Sequence, residues 1–429
     1  MKIVLIGGGS HVFAPSVIED LLLTARATDF EFALVDLNLE GAELIAAVTQ
    51  RIAQEEGLRV TVTATADRLQ ALPNADFVIT SLAYQGAKRW TMDYEICKAE
   101  RIPHELRETG ALSGISYAFR NITLLMDICR DMEKLCPNAV LLNVSNPLTR
   151  VHEAINRYTN ITSYGFCNVG QWGAQGYERV AKILGRNWED IDVLTAGLNH
   201  FAWILGIKDR KTGADLLPEY TEKHMALPHH RGDTPVYQRW YTKYGAFPAP
   251  PSDHVADFLP YQDGIHYLDR PPYHGNAEER ARKIENLRAV ASGQIPYRGA
   301  ECFHNGSWEH PALVAHAIYN KKDMYLNMLN LPNDGYLPQL PKGAIVEVPV
   351  SIIAGEITPA KNIMLPQPVV ELCLNQCKVA EMVAEAAVTR NRQLALEIIV
   401  VDQAITSKAS ARIALEKMLD AHADIVEFK

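Results

Sequence analysis

Residues 2–9 read KIVLIGGG, and this stretch decides the fold. Five mostly apolar residues predict a short buried strand, which stops at three consecutive glycines. Apolar residues then recur with helical spacing from Val12 to Leu23. A strand, a tight glycine turn and a helix in this order are typical of the first unit of a doubly wound sheet.

The alternation of strands and helices continues through the first half of the chain. The run FEFALV (30–35) ends at Asp36, and an Ala- and Leu-rich helical stretch follows from Leu39 to Glu56. Further strand-like runs are RVTVTAT (59–65), ADFVITSL (75–82), AVLLNVS (139–145) and ITSYGF (161–166). Because strands alternate with helices, we predict an α/β fold with a Rossmann-type doubly wound parallel sheet and right-handed crossovers.

The composition and the secondary-structure pattern of the sequence change near Leu194. The later segments are Pro- and Tyr-rich (233–275), strand-like (AIVEVPVSIIAG, 344–355) and helical from Val369 onward. We therefore predict an NAD-binding Rossmann domain over residues 1–193 and a mixed α+β substrate and catalytic domain over 194–429.

Composition narrows the class of protein. The chain has 429 residues, of which 48% are hydrophobic and 22% charged, as in ordinary globular proteins. A net charge of −9 without a basic block argues against a nucleic-acid partner. Apolar runs fall short of the ~18 residues that cross a bilayer, and the N-terminus does not read as a signal peptide. Seven widely spaced cysteines without a CxxC pair indicate reduced thiols, so we expect a cytoplasmic protein without a membrane partner.

The glycine turn is a candidate dinucleotide site. A helix N-terminus after glycines lets the backbone approach a pyrophosphate, although the usual third glycine of the motif is Val12 here. Asp36, at the end of the second strand, is placed to bind ribose hydroxyls and favours NAD over NADP. A glycine turn without a ligand is the alternative. The candidate cofactor-binding residues are Gly7, Gly8, Gly9, Ser10, Asp36 and Asn143.

Polar residues also follow two later strands. Asn143 and Asn146 stand at the carboxyl end of a predicted strand, where open α/β sheets bind ligands, although Asn-Pro also makes simple turns. Cys167 closes the next strand, and His200 follows 33 residues later. A thiolate and an imidazole are good ligands for a divalent metal. Spacing alone, however, favours a buried thiol and a core histidine.

Six segments together resemble glycoside hydrolase family 4, the NAD- and Mn-dependent glycosidases. In chain order they are KIVLIGGGSHVF, LVDLN, RETGALSGISYAFRNI, LLNVSNP, GFCNVGQWG and GLNHFAW. The segments AYQGAKRW (83–90), DYEICK (93–98) and YGAFPAPPSDHVADFLPY (244–261) are most similar to the α-galactosidase and α-galacturonidase branch.

The resemblance implies a redox hydrolysis rather than the usual two-carboxylate mechanism. NAD+ oxidises C3 of the sugar, the C2 proton becomes acidic enough for a side chain to remove, and the glycosidic bond breaks by elimination. Water then adds and the hydride returns to C3, so the cofactor is regenerated. The resemblance also implies Mn2+, or another divalent metal, held by Cys167 and His200, and a homodimer or homotetramer.

The resemblance further implies a set of substrate-binding residues, namely Asn146, Asn168, Glu108 and Gln85. Asn168 follows the cysteine of the implied metal site, where members that use unphosphorylated sugars usually have His and 6-phospho-β-glucosidases have Asn, so this position conflicts with the next one. Gln85 stands where the phospho-branches carry a phosphate-binding Arg, with Arg89 four residues on as a substitute. Because a phosphate without a bidentate Arg loses much of its binding energy, we expect an unphosphorylated substrate.

The base that removes the C2 proton is expected in the Pro-rich loop 247–253 and the residues after it. Aromatic and histidine residues flank this segment, which favours an ordered active-site loop over a linker. The phospho-branches place a Tyr there, whereas this chain offers His254, Asp253 and the nearby Tyr261. An imidazole is a common general base at neutral pH, but a loop histidine can equally serve as a hydrogen-bonding residue.

Three alternatives stay open. Within the family, a 6-phospho-β-glucosidase is the nearest one. An NAD-dependent 2-hydroxy acid dehydrogenase shares the Rossmann half and the Asn-Pro turn, but it gives Cys167 and His200 no role. A non-catalytic NAD-binding sugar sensor would bind NAD without metal or turnover.

Overall fold

The computed structural model describes residues 1–102, 109–167, 177–230, 232–265, 277–303 and 309–429. The strands in these ranges are β1 (Lys2–Ile6), β2 (Phe30–Val35), β3 (Val60–Thr65), β4 (Phe77–Thr80), β5 (Val140–Asn143), β6 (Ser163–Gly165), β7 (Ile191–Leu198), β8 (Phe201–Asp209), β9 (Phe247–Pro248), β10 (Met324–Pro332), β11 (Ile345–Ile353) and β12 (Glu356–Pro359). The α-helices are α1 (Ala14–Ile18), α2 (Leu39–Glu56), α3 (Arg68–Ala71), α4 (Gly86–Ala99), α5 (Ala111–Leu135), α6 (Leu148–Tyr158), α7 (Tyr177–Leu184), α8 (Leu217–Met225), α9 (Thr234–Tyr244), α10 (Ser252–Val255), α11 (Ala277–Ser292), α12 (Pro311–Tyr319), α13 (Gln367–Thr389), α14 (Arg392–Val401) and α15 (Lys408–Ala421).

All of these strands belong to one sheet. The first six lie in the order β3-β2-β1-β4-β5-β6 and pair in parallel. This is the strand order of the Rossmann dinucleotide-binding fold, and it confirms the predicted parallel sheet. The sheet then continues antiparallel through β10, β11, β7, β8 and β9, with β12 paired to β11.

The local pattern predicts the first elements closely. Strands β1 and β2 and helix α2 have the bounds that the apolar pattern indicates. The predicted helix from Val12 to Leu23 differs, because α1 passes into a π-helical segment, Glu19–Thr24. The two kinds of turn differ by one residue in their hydrogen-bond spacing, and π turns occur as short segments within α-helices, so the apolar pattern did not predict this one.

Two apolar layers enclose the sheet. On one side, β1 side chains such as Ile3 pack with α1 and α2 in a cluster that extends to Trp203 and Trp240 of the later elements. On the other side, Val4 lies in a cluster with α5, α6 and the three C-terminal helices. Strand β7 spans the proposed boundary at 193/194, and the division into two domains stays a prediction. In the described ranges, no helix is both long and apolar enough to cross a membrane.

Candidate functional site

Cys167 and His200 come together, although neither their spacing nor their elements required it. Cys167 lies just past β6, and His200 occupies the two-residue turn between β7 and β8 with a left-handed φ of 60°. The Cys167 Sγ atom lies 3.2 Å from Nε2 of His200. The thiol is partly exposed, whereas the imidazole is buried.

The geometry of this pair fits a divalent metal. With bond lengths of ~2.3 Å to sulfur and ~2.1 Å to nitrogen, as known for zinc, the two ligand atoms lie ~3.1 Å apart at a right angle and ~3.6 Å apart at the tetrahedral angle. The observed separation of 3.2 Å falls within that range and is also the length of a hydrogen bond between the two side chains. Nδ1 of His200 is buried without a hydrogen-bond partner among the described residues. In this it differs from most metal-binding histidines, whose second ring nitrogen has a polar neighbour. Among the described residues, no group of three or more His, Cys, Asp or Glu side chains is placed to hold a metal ion.

The electrostatic setting of His200 favours a neutral ring. Burial and the neighbouring His254 lower the pKa of His200 well below its usual value, and Asp253 opposes them only in part. The imidazole is therefore uncharged at neutral pH, which is the form that binds a metal.

Helix α10 brings two of the predicted catalytic residues to this pair. The rings of His200 and His254 have centroids 4.9 Å apart. Nδ1 of His254 lies 2.9 Å from an oxygen of Asp253, and both side chains are about one-third exposed. An imidazole oriented by a carboxylate beside a metal-type pair can accept a proton from a bound molecule.

Tyr261, the third candidate base, lies in a 3-10 turn, Tyr261–Asp263. Its backbone N–H donates to the carbonyl of Gln403, between α14 and α15. Two predicted substrate-binding residues, Glu108 and Asn168, lie outside the described residues.

The glycine turn closes over the end of β1 as predicted. Gly7 has a φ of 93°, and the N–H groups of Gly7 and Gly8 donate to the carbonyl of Val35. A Cβ on Gly7 would lie 2.2 Å from the Ser81 carbonyl oxygen, so only glycine fits. Ser10 accepts a hydrogen bond from the N–H of Phe13 at the start of α1.

The Asp36 carboxylate lies against this turn. One oxygen accepts from the N–H of Gly9 at 2.9 Å, and the other accepts from the N–H of Asn38. The side chain is half-buried. The role of Asp36 at a ribose stays a prediction.

The two asparagines after β5 differ in their surroundings. Asn143 is fully buried, where its side chain accepts from Thr80 at 2.8 Å and donates to the Ser145 carbonyl. Asn143 therefore shapes the strand end from within. Asn146 is half-buried, precedes a cis Pro147, and its carbonyl accepts from Asn121.

Gln85 and Arg89 occupy the predicted positions at which a substrate phosphate would be bound. Gln85 is exposed at the start of α4, and its side-chain oxygen accepts from Arg89. The Arg89 guanidinium is buried and donates to both carboxylate oxygens of Asp424, near the end of the chain. It also lies 3.3 Å from Nδ1 of His422. Arg89 is thus paired with a carboxylate whose own side chain is 61% exposed.

Sequence reasoning missed one residue beside this site, Glu347. This carboxylate on β11 is 3% exposed and accepts a hydrogen bond from the side chain of Asn199, the neighbour of His200. Burial raises the pKa of Glu347 to about 7, against the hydrogen bonds from Asn199 and Asn330. A single acidic residue within an apolar strand-like run was the available signal, because buried carboxylates require partners.

Fold and site together define the class: an α/β protein of dinucleotide-binding topology with a metal-type Cys–His pair just past the ends of β6 and β7. Two family models match the chain. A family 4 glycosyl hydrolase model matches residues 2–185, and the model of the C-terminal domain of that family matches residues 195–405. The chain therefore belongs to the family 4 glycosyl hydrolases, as its motifs predict.

Individual relatives agree with this. The chain is 29% identical to an α-galactosidase of Bacillus subtilis over 438 residues, covering 100% of both chains. It is 27% identical to an α-galactosidase of Rhizobium meliloti over 410 residues, covering 90% of this chain and 81% of the relative. The crystal structure of a 6-phospho-α-glucosidase from gut microorganisms, in complex with NAD and Mn2+, superposes with a TM-score of 0.79 at 22% identity, covering 100% of this chain and 99% of that one. This last likeness shows the fold.

Proposed function

We propose that the chain is a glycosidase that uses NAD+ and a divalent metal, preferably Mn2+, to cleave an unphosphorylated glycoside of α-galactoside or α-galacturonide type. The observation that carries the proposal is the position of His254 and Asp253 beside the Cys167–His200 pair. A proton acceptor and two metal-type ligands thus meet at one edge of a dinucleotide-binding sheet. The relatives of this family include a glucosidase structure that holds NAD and Mn2+.

The two bound groups supply a hydride acceptor for C3 and a Lewis acid for the sugar oxygens. Within this scheme, Cys167 and His200 hold the metal, and the turn around Gly7 with Asp36 holds the dinucleotide. His254, oriented by Asp253, accepts the proton from C2. Asn146, at the end of the neighbouring strand β5, binds the sugar, together with the predicted substrate residues Gln85, Glu108 and Asn168.

The choice of an unphosphorylated sugar rests on Arg89. A phosphate is bound most strongly by a guanidinium that donates two hydrogen bonds to it. In this chain both of those donor positions on Arg89 face Asp424 instead. Gln85 holds the other predicted phosphate position and carries no charge. The two α-galactosidase relatives support the same choice.

Turnover measurements test the proposal directly. The purified protein is given p-nitrophenyl α-galactoside, α-galacturonide, their β-linked counterparts and 6-phosphoglucosides, with NAD+, Mn2+ and a thiol each omitted in turn. We expect release of p-nitrophenol from an unphosphorylated α-glycoside only when all three additives are present. In deuterated water, the sugar product should carry deuterium at C2, because that proton leaves and is replaced.

Two variants sharpen this experiment. Cys167→Ser is expected to abolish both turnover and Mn2+ binding, whereas Cys373→Ser, a change at a buried cysteine on α13, should leave both intact. Turnover without NAD+ would contradict the redox scheme. Preference for a 6-phosphoglucoside would favour the phospho-branch, and oxidation of simple hydroxy acids would favour a dehydrogenase.

We also propose that the protein is cytoplasmic and forms a homodimer or homotetramer. Light scattering of the purified protein tests the number of subunits.

A further inference from the structure

Glu347 lies in a row of residues that crosses the sheet where its parallel and antiparallel parts meet. Gly165 of β6 is paired with Asn330 of β10, Asn330 with Glu347 of β11, and Glu347 with Gly197 of β7. Cys167 follows Gly165 by two residues, and His200 follows Gly197 by three. The row therefore joins the strands that carry the two metal-type ligands.

Side-chain hydrogen bonds run along this row. One carboxylate oxygen of Glu347, Oε2, accepts from Nδ2 of Asn199 at 2.9 Å and from Nδ2 of Asn330 at 3.0 Å. The same Asn330 nitrogen lies 3.4 Å from the carbonyl oxygen of Gly165. A single oxygen atom thus links the turn that holds His200 to the strand that precedes Cys167.

These side-chain hydrogen bonds matter because few backbone residue pairs join the strands at this row. The β6–β10 and β11–β7 ladders are each registered through one residue pair. Strands β6 and β7 are three strand positions apart in the sheet, or ~14 Å at the usual spacing. The two ligands approach each other from opposite ends of that interval, so a small shift of either strand changes their separation.

We propose that Glu347 is a positioning residue for the metal pair: by holding Asn199 and Asn330, it sets the separation of Cys167 and His200 and thereby the affinity for the metal. The inference rests on the proposed function, since it assumes that this pair binds a metal. Outer partners of metal ligands typically change metal affinity by ~10–100-fold when they are removed.

Three variants separate the role of the acceptor from that of the charge. Glu347→Met keeps the volume but leaves the Asn199 amide without its acceptor and the Asn330 amide with only the Gly165 carbonyl, so we expect Mn2+ affinity to fall ~10–100-fold. Glu347→Gln keeps a carbonyl oxygen that can accept both bonds, and it should restore affinity to within ~3-fold of the wild type. Asn330→Ala cuts only the link toward Gly165 and should give an intermediate loss.

The readout is metal binding rather than turnover. Free Mn2+ is followed by electron paramagnetic resonance during titration of folded protein, with folding checked by circular dichroism and thermal melting. Glu153→Met is the matched control, because Glu153 is also a buried glutamate but lies on α6 and pairs with Arg157. A purely structural role would lower the melting temperature of both Met variants without changing the Mn2+ affinity of the folded protein.

The results distinguish a failure of the proposed function from a failure of the positioning role of Glu347. Wild-type protein that binds no Mn2+ would overturn the proposed function together with this inference. If the wild type binds Mn2+ and folded Glu347→Met binds it within ~2-fold as tightly, only the positioning role is overturned. The same holds if Glu153→Met loses equal affinity, or if Glu347→Gln is as weak as Glu347→Met. Should Glu347→Met fail to fold, unchanged affinity of Asn330→Ala overturns the inference.

Discussion

The imidazole of His254 lies beside that of His200, with ring centroids 4.9 Å apart, although one residue belongs to helix α10 and the other to a β-turn. The contact places a residue able to move a proton next to one of metal-ligand type. Asp253 completes the arrangement, with a carboxylate oxygen 2.9 Å from Nδ1 of His254. In the proposed function, proton transfer and metal binding would therefore take place side by side but use different side chains.

This separation predicts a variant that loses one role and keeps the other. His254→Asn removes the proton acceptor and should lower kcat by ~10²–10⁴-fold, as for other general bases. Mn2+ affinity should stay within ~3-fold of the wild type, because Cys167 and His200 are unchanged. Turnover of the best p-nitrophenyl glycoside and a Mn2+ titration measure the two quantities. If His254→Asn instead loses Mn2+, His254 is a metal ligand rather than a base.

The cysteines predict selective alkylation. Burial raises the pKa of six thiols: to about 12 for Cys97, Cys129 and Cys377, to about 11 for Cys136 and Cys302, and well above the usual value for Cys373. Because only thiolates react readily, these six should react slowly at neutral pH. We expect iodoacetamide to modify the partly exposed Cys167 first, and bound Mn2+ to slow the reaction.

Peptide mapping by mass spectrometry identifies the labelled site. Cys167→Ser is the control and should take up label at less than ~one-tenth of the wild-type rate. Faster labelling of Cys302, the other partly exposed thiol, would contradict the expectation.

Local sequence patterns predicted the parallel half of the sheet, because each βα unit there is contiguous in the chain. They did not predict that Cys167 meets His200, since this contact depends on β10 and β11, which lie far along the chain and sit between β6 and β7. The partner of Arg89 was equally out of reach. Asp424 lies 335 residues away, and only the packing of α15 against α4 brings it there.

Glu347 predicts a pH dependence of stability. Its pKa is raised from 4.5 to about 7 in the folded protein, mainly by burial. Between pH 4.5 and pH 7 the folded state binds more protons than the unfolded state. The contribution of Glu347 to stability is therefore full below pH 4.5 and is lost as the pH rises through 7. At ~1.4 kcal/mol per unit of pKa shift, the loss is of order 3 kcal/mol.

Urea unfolding of metal-free protein between pH 4.5 and 7.5 tests this sign. The free energy of unfolding of the wild type, minus that of Glu347→Gln, should decrease as pH rises. The same difference for Glu385→Gln, at an exposed position of α13, provides the comparison. An increase with pH would show that Glu347 is ionised in the folded protein.

Gly7 offers the sharpest test of the dinucleotide site, because the chain contains a matched glycine. Both Gly7 and Gly57 have positive φ values, 93° and 67°. A Cβ on Gly57 meets nothing within 4 Å, whereas on Gly7 it would lie 2.2 Å from the carbonyl oxygen of Ser81. Gly57→Ala should therefore lose only the ~1 kcal/mol of an unfavourable φ and keep its affinity for NAD+. Gly7→Ala must displace the turn that is proposed to hold the cofactor, so its Kd for NAD+ should rise more than ~10-fold in a fluorescence titration. Equal affinities in the two variants would show that the turn after β1 does not hold the dinucleotide.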